Sequence, residues 1–187
     1  MWTLWIALIF GCGDAEQAQG PEPTSPVVPK AKSKAKTKAK SKAKAKKPPP
    51  EVEKTSAKVF FLDKTAVESG KGEAVVSVDR EVGVKNPPRN AIWTLFKGPE
   101  ASEAEAGLML AKSGATGFEG LTVEDGVATL KLKGGCSNEG GVHSIYDLIV
   151  PTLKQFDEID AVKVLDPEGE TQNPDGKGDS RPACLEP

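Results

Sequence analysis

The chain has 187 residues, enough for one ordinary domain. Its composition, however, excludes folding along the whole length of the chain. Residues 13–56 hold almost no large apolar side chains, so they cannot bury enough surface to offset the entropy of ordering them. The net charge of −2 hides an asymmetry, because residues 30–47 carry ten lysines and no acid. From Glu51 onward there are 15 basic and 24 acidic residues, a net charge of −9. The two parts are therefore expected to meet different partners.

The first eleven residues are typical of a secretion signal. They read MWTLWIALIFG, an apolar run shorter than the roughly 20 residues of a membrane-spanning helix but suited to a signal peptide. The end of this run and the residue after it, Ile9 to Cys12, resemble a bacterial lipobox, in which the cysteine thiol receives the lipid. We therefore expect residues 1–11 to be removed and Cys12 to be the lipid attachment site. The chain would be exported and held at the outer membrane or at the outer face of the cytoplasmic membrane.

Residues 12–56 are predicted to be the lipidated cysteine and a disordered linker rich in Pro, Lys and Ala. Lysines alternate with small residues, and their mutual repulsion favours an extended chain. A flexible chain of this length spans roughly 35–40 Å. The tract is interpreted either as a solvated spacer or as a contact for a polyanion. The candidate contact residues are Lys30, Lys32, Lys34, Lys36, Lys38, Lys40, Lys42, Lys44, Lys46 and Lys47.

The nature of such a polyanion depends on where the protein resides. No aromatic residue interleaves the lysines, so stacking on single-stranded nucleic acid is not supported. In an exported protein the polyanion would be an envelope polymer, lipid head groups or stray DNA, and nucleic acid is not the expected partner.

The first half of the remaining chain predicts two strands and two helices. Apolar runs or alternation predict strands over 58–62 and 74–82. A helix is expected over 91–97, with Pro88 able to sit in its first turn, because its apolar residues fall on one face. The Ala- and Glu-rich stretch 100–110 predicts a second short helix.

The second half predicts a hairpin, a longer helix and a last strand. Asp125-Gly126 is a strong hairpin signal between strands over 121–123 and 127–132. A helix is predicted from Val142 to Phe156, with a kink or restart at Pro151. A strand over 162–165 precedes a loop. The fold class is therefore α+β, a small mixed β-sheet with two or three helices packed on one face.

Several segments, in this order, resemble the GerMN (sporulation and spore germination) domain. They are the runs KVFFLD and VDREV, the helix ending LFKGP at Leu95–Pro99, the hairpin LTVEDGVATLKL, and the closing helix and strand within 149–169. The resemblance covers about 57–170, which we take as the domain. A C-terminal loop, 171–187, follows it.

The resemblance implies an exported, often lipid-anchored envelope protein. Domains of this family are treated as structural or interaction modules, with no known catalytic residues to carry over. We therefore expect a non-enzymatic adaptor without a cofactor that contacts the membrane through its lipid and docks another envelope protein or a cell-wall polymer. Self-association stays open. The alternatives are a polyanion-binding protein that acts through its lysines, or an envelope hydrolase with an unrecognised carboxylate site.

Cysteine usage also fits export. With Cys12 assigned to lipid, the remaining pair, Cys136 and Cys184, is expected to form a disulfide that pins the C-terminal loop. The alternative is three free buried thiols in a cytosolic protein.

Other candidate chemistry is weak. The single histidine, His143, excludes a multi-histidine metal site within one chain, and we expect it to be an exposed residue of the last helix. A nucleophilic pair of Cys136 and His143 lacks an orienting third group. The loop 173–179 departs from a calcium loop at its ligand positions, so no metal site is predicted. Arg80 is expected to form a buried or half-buried ion pair with a structural role.

Overall fold

The computed structural model describes residues 53–187. The signal segment, Cys12 and the lysine tract lie outside the described residues, as does nearly all of the predicted linker. Predictions about them therefore stay predictions.

Within residues 53–187 the chain forms six strands, four α-helices and one turn of 3-10 helix. The strands are β1 (Lys54–Asp63), β2 (Val75–Gly83), β3 (Leu108–Met109), β4 (Ala115–Glu124), β5 (Val127–Gly134) and β6 (Ala161–Leu165). The helices are α1 (Lys64–Ser69), α2 (Pro87–Lys97), α3 (Ala101–Glu105) and α4 (Ile145–Lys154), with the 3-10 turn at Ala183–Leu185.

The strands form two three-stranded sheets. In the first, the order is β2-β1-β3 and all pairs are antiparallel, with β1 and β2 in register from Lys54 opposite Gly83 to Leu62 opposite Val75. In the second, the order is β4-β5-β6, in which β4 and β5 form an antiparallel hairpin and β6 joins β5 in parallel. The predicted α+β class is confirmed, although the strands divide between two sheets.

The core lies where α2 and α4 pack against each other and against β1. Fully buried side chains come from β1, α2, α4 and the second sheet, among them Phe61, Leu95, Leu130, Ile149 and Val162. Burying a side chain of this size contributes about 1.5–3 kcal/mol. Because one cluster includes residues of both sheets, the two sheets share a core.

The edge of β1 opposite β2 is closed by side chains of the last helix and the residue after it. The side-chain oxygen of Gln155 accepts a hydrogen bond from the Lys58 backbone N–H, and its amide nitrogen donates to the Lys58 carbonyl, each at 2.6 Å. Thr152 accepts from the Phe60 backbone N–H at 3.4 Å. Gln155 thus replaces a neighbouring strand at this position.

Helix boundaries follow local capping. α2 begins at Pro87 rather than Ala91, because Asn86 has a left-handed backbone (φ 62°) and its side chain accepts from the Arg89 N–H at 3.2 Å. α4 begins at Ile145 rather than Val142, because Ser144 and Asp147 form a capping box. The helix runs through Pro151 to Lys154. Within the described part of the chain, no helix is both long and apolar enough to cross a membrane.

The segment after β6 is mostly loop, as predicted, but it is packed onto the domain. The Val164 N–H donates to the Ser180 carbonyl and the Ser180 N–H donates to the Val162 carbonyl, both at 2.9 Å. Leu185 is fully buried. The tail therefore covers the outer edge of β6.

Candidate functional site

An aromatic cluster lies between α2 and β4. Trp93 keeps 56% of its surface exposed and meets the ring of Phe118 edge-on, with ring centroids 6.1 Å apart. Phe96 stacks on the Phe118 ring, with ring centroids 6.0 Å apart. The Arg89 guanidinium lies 5.4 Å from the centroid of the Phe118 ring. Cation–π and aromatic contacts of this geometry favour a fixed arrangement over free rotation. Trp93 is therefore a held, exposed aromatic side chain.

A basic stripe runs along the same helix. Arg89, Trp93 and Lys97 are spaced by four residues, which places them on one helical face, and Lys85 precedes them in the loop. α2 contains no acidic residue. None of these three basic side chains forms an ion pair with another residue of 53–187. This face is basic on a domain that is acidic as a whole.

A cavity of about 380 Å³ adjoins the stripe. It lies between α2 and the end of β2, and its lining residues are Glu81, Val82, Gly83, Asn90, Trp93, Thr94 and Lys97. The Asn90 amide nitrogen donates to the carbonyls of Gly83 and Lys85, both at 2.9 Å. These bonds tie the loop after β2 to α2 and hold one wall of the cavity in place.

The strand beside this cavity is an outer strand. β2 has nine residues and pairs with β1 on one side only. On its other side, no strand of residues 53–187 pairs with it. By contrast, the outer edge of β6 is covered by Ser180, and β4 is interrupted by register shifts. We call β2, the cavity, Val84 and the basic stripe together the β2–α2 face.

A second cavity of about 310 Å³ lies between α1, β3 and the loop that precedes α4. Its lining is mostly apolar, and Val142 beside it is 77% exposed. The predicted place of His143 is wrong. It lies in the loop before α4 and is half-buried, because the capping box delays the helix, and its Nδ1 is 4.0 Å from an Asp147 oxygen.

The structure joins Cys136 and Cys184 in a disulfide, with Cα atoms 5.7 Å apart. The sulfur of Cys136 is bonded in this pair, so it is not a free nucleophile beside His143. The loop 173–179 is bound to the rest of the domain through Asp179. The Asp179 carboxylate accepts from the Val162 N–H at 2.9 Å and from Lys154 at 2.7 Å. Among residues 53–187, no three His, Cys, Asp or Glu side chains are grouped to hold a metal ion.

Arg80 forms the predicted half-buried ion pair. Its guanidinium contacts the Glu103 carboxylate, and the two side chains are 12% and 19% exposed. The hydrogen bond from Arg80 lowers the pKa of Glu103 below its ordinary value of 4.5, although partial burial opposes this shift. The pair joins β2 to α3, which is a structural role.

Comparison with known proteins supplies the family. The family model for sporulation and spore germination, Germane, matches residues 58–173. The chain belongs to this family. The predicted GerMN resemblance is thereby confirmed.

The solved structures that resemble this chain include the tandem GerMN domains of the sporulation protein GerM from Bacillus subtilis. The two sequences are 20% identical, and the match covers 68% of this chain and 46% of that one, with a TM-score of 0.44. This GerMN chain therefore spans about half the length of its solved relative. A comparison with curated proteins finds no match.

The β2–α2 face was not singled out from the sequence. The four-residue spacing of Arg89, Trp93 and Lys97 was the available signal, because a tryptophan between two basic residues does not belong on a core-facing stripe. The contact of Trp93 with Phe118 could not be predicted, since it joins two elements 25 residues apart in the chain.

Proposed function

We propose that this chain is an envelope-anchored lipoprotein whose GerMN domain is a non-enzymatic interaction module. Cys12 would hold the lipid, residues 13–56 would act as the tether, and the folded domain would dock another component of the envelope. The domain would extend over 57–170, with 171–187 as its pinned C-terminal loop.

Export and anchoring are supported by the cysteines. Cys12 follows a short apolar run and a small residue, as in bacterial lipoprotein signals. The Cys136–Cys184 disulfide fits an oxidising compartment outside the cytoplasm.

The observation that carries the interaction role is the exposure of Trp93. A tryptophan that is 56% exposed, held by Phe118 and flanked along its helix by Arg89 and Lys97 has the composition of a binding hot spot. Burying an exposed side chain of this size against a partner would contribute more than any single polar contact on the face. The face therefore favours a binding role over a solely structural one.

The lysine tract supports a second candidate function, the binding of a polyanion. Ten lysines within 18 residues can neutralise the phosphate or carboxylate groups of a polymer, whatever the order of its units. Such binding would fall steeply as salt rises and would not depend on Trp93, whereas docking through the aromatic face would depend on Trp93. A salt titration of binding to anionic vesicles, repeated with Trp93→Ala, separates the two.

Fatty-acid labelling with membrane fractionation tests the anchor. We expect labelled fatty acid and membrane association in the wild type, and the loss of both in Cys12→Ala. A matched Cys184→Ser variant should keep its label, because it removes a cysteine outside the signal. Label that persists in Cys12→Ala, or a wild-type chain that stays soluble inside the cell, would contradict the proposal.

A further inference from the structure

We propose that the β2–α2 face binds an extended, acidic segment of a partner protein, which adds as a strand to the outer edge of β2. The segment would place an apolar side chain beside Trp93 and carboxylates near Arg89 and Lys97. This inference rests on the proposed interaction role and names the class of partner and the mode of binding.

The outer edge of β2 has no partner strand within residues 53–187. β2 is a regular nine-residue strand with a partner on one side only, within the described chain. Its outward backbone groups can hydrogen-bond to an added strand, which is a recurring way of binding extended peptides. The other long edges are less suitable, because β6 is covered by the tail and β4 has register shifts.

The cavity of the β2–α2 face lies beside the end of β2. In β2, Ser77, Asp79 and Glu81 are exposed on one face, whereas Val82 is buried on the face towards α2. Alternate side chains of an added strand would point to the same side as Val82. The cavity of about 380 Å³ lies on that side, next to Trp93. It can therefore receive one apolar side chain of the added segment.

The charges of the β2–α2 face favour an acidic partner. Lys97 lines the cavity, and Arg89 lies two turns earlier on the same face of α2; neither forms an ion pair with a described residue. Glu81, the acid that lines the cavity, already pairs with Lys54 at 2.8 Å. Val84, the residue after β2, is 43% exposed and adds an apolar side chain to this face. Carboxylates on the partner would be attracted to the face and would fix its register. An acidic segment with an apolar anchor fits these features better than a basic or solely polar one.

Selection from a peptide library tests the partner class. The probe is a phage-displayed library of random ten-residue peptides, selected on the oxidised full-length Cys12→Ala chain. The library is first depleted on the same chain with Trp93→Ala, which keeps the ten lysines of residues 30–47 and so removes peptides that bind the lysine tract. Because this chain carries no lipid, the result does not depend on anchoring. We expect the selected peptides to share Asp or Glu residues and an apolar residue at alternate spacing. Selected peptides without acidic enrichment would overturn the proposal.

Variants of the face then test where the selected peptide binds. We expect Trp93→Ala, and separately the double change Arg89→Glu with Lys97→Glu, to weaken its binding by about tenfold or more. The matched controls are Val142→Ala and Lys177→Glu, exposed residues of other loops, which should stay within about twofold. Circular dichroism confirms that every variant is folded. Equal weakening by the control and face variants would overturn the proposed site.

Backbone methylation tests strand addition. Two versions of the selected peptide are methylated at alternate amide nitrogens, one version for each edge of the peptide. Only one edge pairs with β2, so we expect one version to lose binding and the other to keep it. If both bind like the parent peptide, strand addition is wrong. A wild-type dimer in light scattering that Trp93→Ala abolishes would instead identify a second copy as the occupant and would also overturn the proposal.

Discussion

At the scale of single residues, the contact of Arg80 with Glu103 shows how the sequence positions the face. Arg80 extends from β2 to α3, and its guanidinium also lies 6.0 Å from the ring centroid of Phe61. The exposed residues of β2 alternate with this half-buried side chain, so its ion pair helps to fix which side of β2 faces α2. The alternation of exposed and half-buried residues along β2 made the structural role of Arg80 predictable. The identity of its acidic partner could not be predicted, because Glu103 is 23 residues away in sequence.

Glu103→Gln should destabilise the domain at neutral pH by about 2 kcal/mol, because the hydrogen bond from Arg80 loses its charged acceptor. The pKa of Glu103 is lowered in the folded state, so its contribution is complete above the ordinary pKa of 4.5 and is lost as pH falls through the lowered value. The difference between wild type and variant should therefore shrink in acid. Urea unfolding at pH 7 and pH 3 measures it.

The control for this change is Glu105→Gln, an exposed acid of the same helix outside the ion pair. It should change the free energy of unfolding by less than about 0.5 kcal/mol at either pH. A Glu103→Gln difference that is the same at pH 7 and pH 3 would contradict the role assigned to the ion pair.

At the scale of elements, Gln155 closes one edge of β1 with two hydrogen bonds to Lys58. Gln155→Ala leaves that N–H and carbonyl without a protein partner, so we expect a loss of about 1–2 kcal/mol in the free energy of unfolding. Hydrogen exchange at the Lys58 amide should accelerate as well. Gln172→Ala, which removes an exposed glutamine, is the control and should leave both quantities nearly unchanged. An unchanged Lys58 amide in Gln155→Ala would argue against the clamp.

The elements that sequence patterns predicted well are those with strong local signals. The turn at Asp125-Gly126 is at its predicted place, and both residues have positive φ, 49° and 77°, as a tight hairpin requires. β4 is longer than the predicted 121–123, because register shifts near Gly117 and Gly120 break its alternation.

The short elements were missed for a different reason. α1 has six residues and β3 has two, too few for a periodic pattern. α1 depends on its ends instead, where Asp63 accepts from the Ala66 N–H at 2.9 Å and Gly70 takes φ 64°. The division into two sheets and the contact between Trp93 and Phe118 arise from tertiary packing, which no local pattern contains.

At the scale of the whole molecule, the disulfide links the C-terminal tail to the loop after β5. It joins two residues that are 48 positions apart in sequence. For a loop of this length the chain-entropy model gives a stabilisation of up to about 4 kcal/mol. Cys184→Ser should therefore lower the free energy of unfolding by up to about that amount. Thermal and urea unfolding measure the change.

The matched control for this prediction is the double variant Cys136→Ser with Cys184→Ser. It removes the same single bond, so it should match Cys184→Ser closely. If the oxidised wild type and Cys184→Ser unfold at the same urea concentration, the tail is held by its other contacts alone. Those contacts include the Ser180 pairing with β6 and the buried Leu185.

If the anchored domain docks through the β2–α2 face, Trp93 is shielded from solvent in the cell envelope. Hydroxyl-radical footprinting in isolated cell envelopes measures this protection. Oxidation of Trp93 is compared between the purified full-length chain and the same chain in its envelope, with Val142 and Met109 as internal references. We predict that Trp93 is protected in the envelope while Val142, 77% exposed, is oxidised equally in both. Equal oxidation of Trp93 in both samples would contradict docking through this face.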